Sequence, residues 1–236
     1  MKTLYSLLPR LLVLAAIIAA GAWGAWTWWQ GQQDALPEGL VSGNGRIESD
    51  QVDISTKSAS RVTEVLVQEG DMVEAGQVVA RIDTDATLTA PVKGRVLYRL
   101  ANPGEVVSAG GKILTLVDLA EIYMEIYLPA EQAMRVAIGS QARIQFDNTD
   151  FVIPARVSFV SPEAQFTPKQ VETRSERDKL VFRVKLRIPR SLVERHVEQV
   201  KTGVRGTGYA RLDPSPPEWP EFLQKRFEGD PVDAGD

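Results

Sequence analysis

The distribution of hydrophobic and polar positions separates an uncharged N-terminal run from a series of alternating segments. Residues 11–29 contain no charged side chain. As an α-helix, these 19 residues would be about 28 Å long at ~1.5 Å per residue, close to the hydrocarbon thickness of a bilayer. The pattern therefore predicts one transmembrane helix over residues 11–29.

The charges on either side of this run predict its orientation. Lys2 and Arg10 precede it, and the next basic residue is Arg46. The positive-inside rule then makes residues 1–10 a cytoplasmic N-terminus and exports everything after Trp29. We therefore expect a single-pass membrane protein with a cytoplasmic N-terminus and the bulk of the chain exported.

A cleavable signal peptide is the alternative interpretation of this run. Residues 20–22 read Ala-Gly-Ala, which fits the small-residue pattern of a cleavage site. The tryptophans favour an uncleaved anchor, because indole rings at the outer end of a span prefer the headgroup level. They are Trp23, Trp26, Trp28 and Trp29.

The exported part begins with a polar tether and a first strand (residues 30–50) and then repeats itself. Residues 69–77 read E-G-D-M-V-E-A-G-Q, and residues 103–111 read P-G-E-V-V-S-A-G-G, at an offset of 34. In each copy, short alternating strands are separated by glycines, among them Gly70 and Gly104, which can supply a positive φ. Neither half can bury its apolar face alone. The repeat therefore predicts a flattened β-sandwich over residues 51–119.

Residues 120–212 again alternate with a period of two. Ile122 and Met124 share one face of a predicted strand with Ile126 and Leu128, as expected for half-buried antiparallel strands. Residues 129–137 carry a helical stripe. Several strands and one short helix predict a small antiparallel β-barrel.

The last segment differs in composition. Residues 213–236 contain five prolines and seven acids, which predicts an extended Pro/acid-rich tail whose apolar residues can dock locally. Those apolar residues are Trp219, Phe222, Leu223 and Phe227. The fold class is thus mainly β: one transmembrane helix, a sandwich and a barrel.

Composition argues against most chemistry. The chain has no cysteine and one histidine, His196, which excludes disulfides and thiolate chemistry and disfavours metal sites. After residue 29 it carries 25 basic and 31 acidic side chains, which does not suit a nucleic-acid partner. We expect no enzyme activity and no catalytic, cofactor-binding or metal-binding residues.

The repeated motif resembles the biotinyl/lipoyl carrier domain over residues 51–119. In that family the tight turn between the two halves presents the modified lysine. Here the turn is formed by residues 83–87, and Ala86 stands where the lysine is expected. Lys93, the nearest lysine, lies inside the second half. The resemblance therefore implies a scaffold without a cofactor, and a membrane-anchored carrier is the alternative.

The order of anchor, doubled lipoyl-type module and barrel resembles the membrane fusion proteins, the HlyD-type periplasmic adaptors of efflux and secretion systems. The resemblance covers residues 41–212 and includes G-R-I-E at 45–48, T-A-P at 89–91 and K-T-G-V at 201–204. Residues 164–173 and 180–184 are similar to the subgroup that accompanies ABC-type exporters. The resemblance implies a homo-oligomeric subunit that docks on an inner-membrane transporter of the ABC type.

One departure from that family limits the expected partners. Typical adaptors insert a long coiled-coil hairpin between the lipoyl halves, and its tip engages an outer-membrane channel. Here residues 83–88 cross the gap directly. We therefore do not expect an outer-membrane channel as a direct partner, and a structural interaction module without a transporter is a further alternative.

Two other features are open at this point. The loop at residues 166–173 belongs to a long connection between two predicted strands. Such a connection is either a binding loop or a long loop without a role in binding. Arg183, Lys185 and Arg187 share one face of a predicted strand and indicate a solvated or subunit-facing surface, or a site for an anion.

Overall fold

The computed structural model describes residues 21, 23, 36–83, 86–147, 149–166, 180–212, 218–225 and 227. Strands dominate these residues, and the helices are short. The strands are β1 Leu40–Ser55, β2 Ser60–Val65, β3 Met72–Val73, β4 Val78–Ile82, β5 Thr87–Thr89, β6 Gly94–Arg99, β7 Val106–Val107, β8 Lys112–Pro129, β9 Gln141–Phe146, β10 Val152–Phe166, β11 Leu180–Arg187 and β12 Arg205–Arg211. From residue 36 onward, the helical segments among the described residues are Ala130–Ala133, Arg190–Arg195 and the 3-10 turn Glu221–Leu223, and the described residues Gly21 and Trp23 are also helical.

Two four-stranded layers form the predicted sandwich. One layer has the order β5-β4-β2-β7, and the other is the part of the larger sheet in which β1, β8, β6 and β3 follow one another. All the pairings are antiparallel. The core between the layers is aliphatic and includes Val62, Val96, Ile113 and Leu116. The prediction of a lipoyl-type sandwich is confirmed.

The same strands β1 and β8 continue into a closed barrel. The larger sheet runs β1-β12-β9-β10-β11-β8, and a direct β1–β8 pairing closes the ring, so the barrel has six strands. Its interior holds Ile47, Met124, Ile126, Ile144 and Leu186, all buried. The alternation over residues 122–128 thus places its apolar face inside the barrel, as predicted.

Strands β1 and β8 belong to both halves of the molecule. β1 pairs with β8 from Gly45 to Ser55, with one register shift at the end of the sandwich, between Ile54 and Ser55, and another between Ser49 and Gln51, where the strands pass from barrel to sandwich. A register irregularity of this kind bends a strand and increases its twist. Because β1 and β8 run through both the sandwich and the barrel, these two modules are joined by continuous paired strands and not by a flexible linker.

The two halves of the sandwich make equivalent backbone hydrogen bonds. Gly70 N donates to Val96 O at 2.8 Å, and Gly104 N donates to Val62 O at 2.7 Å. Each of these four residues lies 34 positions from its counterpart, which is the offset of the sequence repeat. Gly70 and Gly104 have φ values of 93° and 88°. The predicted repeat is therefore a pseudo-twofold pair of positive-φ turns.

The helix predicted over residues 129–137 is shorter than expected. It ends at Ala133, and the next backbone bonds run from Arg135 N to Gln132 O and from Val136 N to Ala133 O. These are bonds between residues three apart, which tighten a helix end. The apolar residues that follow Ala133 therefore lie in turns and not in a helix.

Several predictions fall outside the described residues. They include residues 11–29 apart from Gly21 and Trp23, the turn tip at Thr84 and Asp85, and residues 167–173 of the long loop. Among the residues that are described, no helix combines the length and the apolarity that crossing a membrane requires.

Candidate interaction sites on the sandwich and the barrel

The turn between β4 and β5 is the position at which a carrier domain presents its lysine. Thr87 pairs with Arg81, and Ile82 N donates to Ala86 O at 3.1 Å, so the strands are joined by a short reversal. Asp83 N donates to Arg61 O at 2.9 Å. Of the residues described here, neither Asp83 nor Ala86 carries an amine. This turn offers no acceptor from those positions.

This turn lies at the end of the sandwich away from the barrel. Strand β1 leaves the barrel and ends at Ser55, and β2 returns from Ser60, so Arg61 is near the far end. Asp83 is hydrogen-bonded to Arg61. The β4–β5 turn therefore projects from the pole of the molecule opposite to the barrel.

Two lysines elsewhere in the sandwich, Lys93 and Lys112, are held by carboxylates. Lys93 Nζ lies 2.7 Å from Glu74 Oε1, and Lys112 Nζ lies 2.6 Å from Asp53 Oδ2. The Lys112 contact and a hydrogen bond from Thr115 together lower the pKa of Asp53 below its usual range. Lys93 and Lys112 therefore serve as surface ion-pair partners.

The basic stripe on β11 faces acids of β8. Arg183 and Lys185 approach Glu125 Oε1 at 3.3 and 3.9 Å, and Arg187 lies 2.8 Å from Glu121. The three cations face two acids on the neighbouring strand, because Arg183 and Lys185 share Glu125, so this face is a charge ladder between β8 and β11 with one positive charge in excess.

Tyr123 extends this ladder toward the sandwich. Lys185 Nζ lies 3.8 Å from the centre of the Tyr123 ring, and the Tyr123 hydroxyl donates to Asp50 Oδ1 at 3.0 Å. Burial raises the pKa of Tyr123, so the neutral, donating form is favoured. Tyr123 thus joins β8, β11 and the middle of β1.

The barrel has an apolar cavity of about 200 Å³ at its sandwich-facing end. Ile47, Ile122, Ile188 and Leu192 line it, with His196 at its wall. The His196 ring packs edge-on against Phe227, with ring centres 4.9 Å apart, and its Nδ1 lies 3.1 Å from Leu192 O. His196 is a packed wall residue. Within the described ranges, no three His, Asp or Glu side chains are grouped to hold a metal ion.

Part of the C-terminal tail docks on the barrel, and we call residues 218–225 and 227 the strap. Trp219 and Leu223 are buried, at 8% and 0% exposure. The guanidinium carbons of Arg143 and Arg211 both lie 4.6 Å from the centre of the Trp219 ring. Val152 N donates to Lys225 O at 2.8 Å. Local docking of the tail is confirmed for these residues.

Arg95 is a contact residue that the sequence analysis missed. It lies on β6 of the sandwich, and its Nη2 donates to Val197 O at 3.0 Å and approaches Glu198 at 3.5 Å. Met72 and Leu97, also on the sandwich, pack against the barrel core. The segment after helix Arg190–Arg195 therefore locks the sandwich to the barrel. A sequence signal existed, since Arg95 precedes a run of apolar and aromatic residues, Val96 to Tyr98, within the same strand.

Comparisons with known proteins agree with this architecture. Residues 50–116 match a biotin/lipoyl family model described as "Biotin-requiring enzyme". A curated relative, the "UPF0194 membrane protein in asrC 5'region" of Acidithiobacillus ferridurans, is 37% identical over 115 residues, which cover 48% of this chain and 34% of the relative. The chain thus matches about a third of that relative's length.

Two solved structures extend the likeness across the barrel. MacA from Actinobacillus actinomycetemcomitans superposes with a TM-score of 0.59 at 14% identity, covering 75% of this chain and 79% of MacA. The membrane fusion protein Spr0693 from Streptococcus pneumoniae R6 gives 0.53 at 12% identity, covering 73% and 99%. The predicted resemblance to the membrane fusion proteins is confirmed at the level of the fold.

Proposed function

We propose that this protein is a periplasmic adaptor subunit of an inner-membrane export system. It is anchored by residues 11–29 and docks on a transporter of the ABC type. The observation that carries the proposal is a lipoyl-type sandwich built on the same two strands, β1 and β8, as a six-stranded barrel. Solved neighbours with this arrangement include a named membrane fusion protein.

The proposed topology follows from the order of segments. Residues 1–10 are cytoplasmic, residues 11–29 span the membrane and the folded part is periplasmic. The uncharged run, the preceding Lys2 and Arg10, and the four tryptophans at residues 23–29 support this order. Residues 51–119 and 120–212 are the proposed sandwich and barrel domains, and residues 213–236 are the tail.

Docking, rather than chemistry, is the proposed activity. The polar clusters described above are ion pairs between neighbouring strands, and ion pairs of this kind hold strands together. An adaptor acts through rigid surfaces, and the locked sandwich and barrel supply them. The adaptor is expected to be a homo-oligomer that stabilises or transmits conformations of the transporter.

The experiment is purification of the full-length chain from its own membranes in mild detergent, followed by quantitative mass spectrometry. We expect an ABC-type permease to be enriched with it. No outer-membrane channel should be enriched, because residues 83–88 leave no room for the family's hairpin. Failure to enrich any transporter, under conditions that preserve a known adaptor complex, would favour the interaction module without a transporter.

A carrier is the second candidate, and the family match to residues 50–116 favours it. Carrier function requires a covalently modified lysine at the turn tip. Ala86 occupies the position expected for that lysine. Intact mass therefore separates the two candidates.

A further inference from the structure

Large apolar side chains are exposed at the end of the barrel that lies away from the sandwich. Met134 is 84% exposed and Ile138 is 68% exposed, both in the turns that follow helix Ala130–Ala133. Leu180 is 53% exposed at the start of β11, and its neighbour Val181 pairs with Pro129 just before that helix. We call residues 134–140 the barrel-end loop.

The barrel-end loop lies at the end where the chain enters the barrel. β1 starts at Leu40, which pairs with Arg211. Arg211 Nη1 in turn donates to Gln141 Oε1 at 2.7 Å, at the start of β9. Leu40 and Gln141 are thus two strand spacings apart, about 10 Å. Ile138 is at most about 11 Å further along the chain.

Covalent connectivity ties this end to the proposed anchor. Ten residues, 30–39, separate Trp29 from β1. Fully extended they span about 36 Å at most, and as a flexible coil about 18 Å on average. A tether of this length allows the entry end of the barrel to reach the bilayer, since the tether can span no more than about 36 Å.

The charges around the barrel-end loop also suit a lipid surface. Arg135 lies within the loop and is exposed, and exposed Arg156 reaches the loop, its Nη1 approaching Gly139 O at 3.4 Å. Glu131 is the nearby acid on helix Ala130–Ala133. Exposed apolar side chains flanked by cations bind interfaces by burying apolar area beside anionic headgroups.

We propose that the barrel-end loop rests in the headgroup layer of the periplasmic leaflet, with Met134 and Ile138 buried among the lipids and Arg135 beside anionic headgroups. This inference rests on the proposed membrane anchor. The barrel is then attached to the membrane at two points, the anchor and the loop, and these two attachments define its orientation on the bilayer. A permease surface is the competing occupant of the same loop.

The absence of cysteine makes the test direct. Met134→Cys, Ile138→Cys and, as the matched control at the remote pole, Asp83→Cys are each labelled with an environment-sensitive fluorophore. Each full-length variant is reconstituted alone into vesicles of phosphatidylethanolamine and phosphatidylglycerol. Circular dichroism of each variant checks that the fold is retained, which we expect because all three side chains are exposed.

The expected result is a blue-shifted emission at positions 134 and 138 and loss of most of their intensity with lipids that carry a headgroup nitroxide. The label at position 83 should instead be quenched by aqueous iodide. Equal iodide quenching at all three positions, in protein that floats with the vesicles after an alkaline wash, would overturn the inference and leave the anchor standing. Loss of flotation would overturn the anchor and the inference together. Efficient crosslinking of position 134 to a permease in native membranes would assign the loop to that partner instead.

Discussion

At Gly70 and Gly104, the cost of a side chain comes from the backbone. An added Cβ would meet no heavy atom within 4 Å at either position, so there is space for it. The φ values of 93° and 88° are nevertheless in a region that side chains with a branched Cβ avoid. We expect Gly70→Val and Gly104→Val each to lower the free energy of unfolding by about 1–3 kcal/mol, measured by urea titration.

The matched controls at these two glycines are Gly70→Asn and Gly104→Asn. Asparagine tolerates positive φ better than valine, so each loss should be smaller. The two sites should also respond alike, since both amides donate to equivalent carbonyls of the other half. Valine variants as stable as the wild type would show that these turns do not hold the sandwich together.

At the scale of elements, the strap docks on the barrel through two buried side chains, Trp219 and Leu223. Trp219 is buried against the guanidinium groups of Arg143 and Arg211. We expect Trp219→Ala to remove about 2–3 kcal/mol of strap stability, from lost apolar burial and lost cation–π contact. Hydrogen exchange at the Val152 amide, which donates to Lys225 O, should then accelerate at least about tenfold.

Phe222 offers the control on the same strap. Its side chain is half exposed, and its ring lies 5.9 Å from that of Tyr209. Phe222→Ala should therefore cost less than about 1 kcal/mol and change Val152 exchange little. Equal exchange in the two variants would mean that Trp219 does not anchor the strap.

Elements with a local pattern could be predicted from the sequence, and elements that depend on distant partners could not. The alternation over residues 122–128 predicted a strand and its buried face, and the glycine repeat predicted the turns that contain the glycines. The barrel itself was predicted, but the strand pairings that build it were not, because the pairing of β1 with β12 joins residues as far apart in the chain as Leu40 and Arg211. Likewise, the sequence of the strap contains only a few apolar residues among prolines. Its docking site could not be predicted from this pattern, because the residues it contacts lie on β9 and β12.

At the scale of the molecule, two long strands couple the sandwich to the barrel. β1 and β8 have 16 and 18 residues, and each contributes to both modules. The Arg95 contacts and the packing of Met72 and Leu97 close the junction from the side. A displacement at the barrel end can therefore reach one layer of the sandwich through the paired strands β1 and β8. The β4–β5 turn lies in the other layer, which is coupled to the first through the aliphatic core.

The β4–β5 turn at the remote pole is where carrier and adaptor differ. The fold around it is lipoyl-type, and residues 50–116 match the biotin/lipoyl family. Ala86 supplies no amine there, and Lys93 and Lys112 are paired with Glu74 and Asp53. We therefore expect co-expression with lipoate ligase or biotin ligase to leave the intact mass of the protein unchanged.

A variant and a reference protein make this prediction sharp. Ala86→Lys places an amine at the turn without altering the strands, since Ala86 is exposed at a hairpin end. A known carrier domain in the same cells shows that each ligase is active. Modification of Ala86→Lys alone would mean that the missing amine is what separates this chain from a carrier. A stoichiometric adduct on any lysine of the unaltered chain would instead establish a carrier, because only a recognised lysine is modified completely.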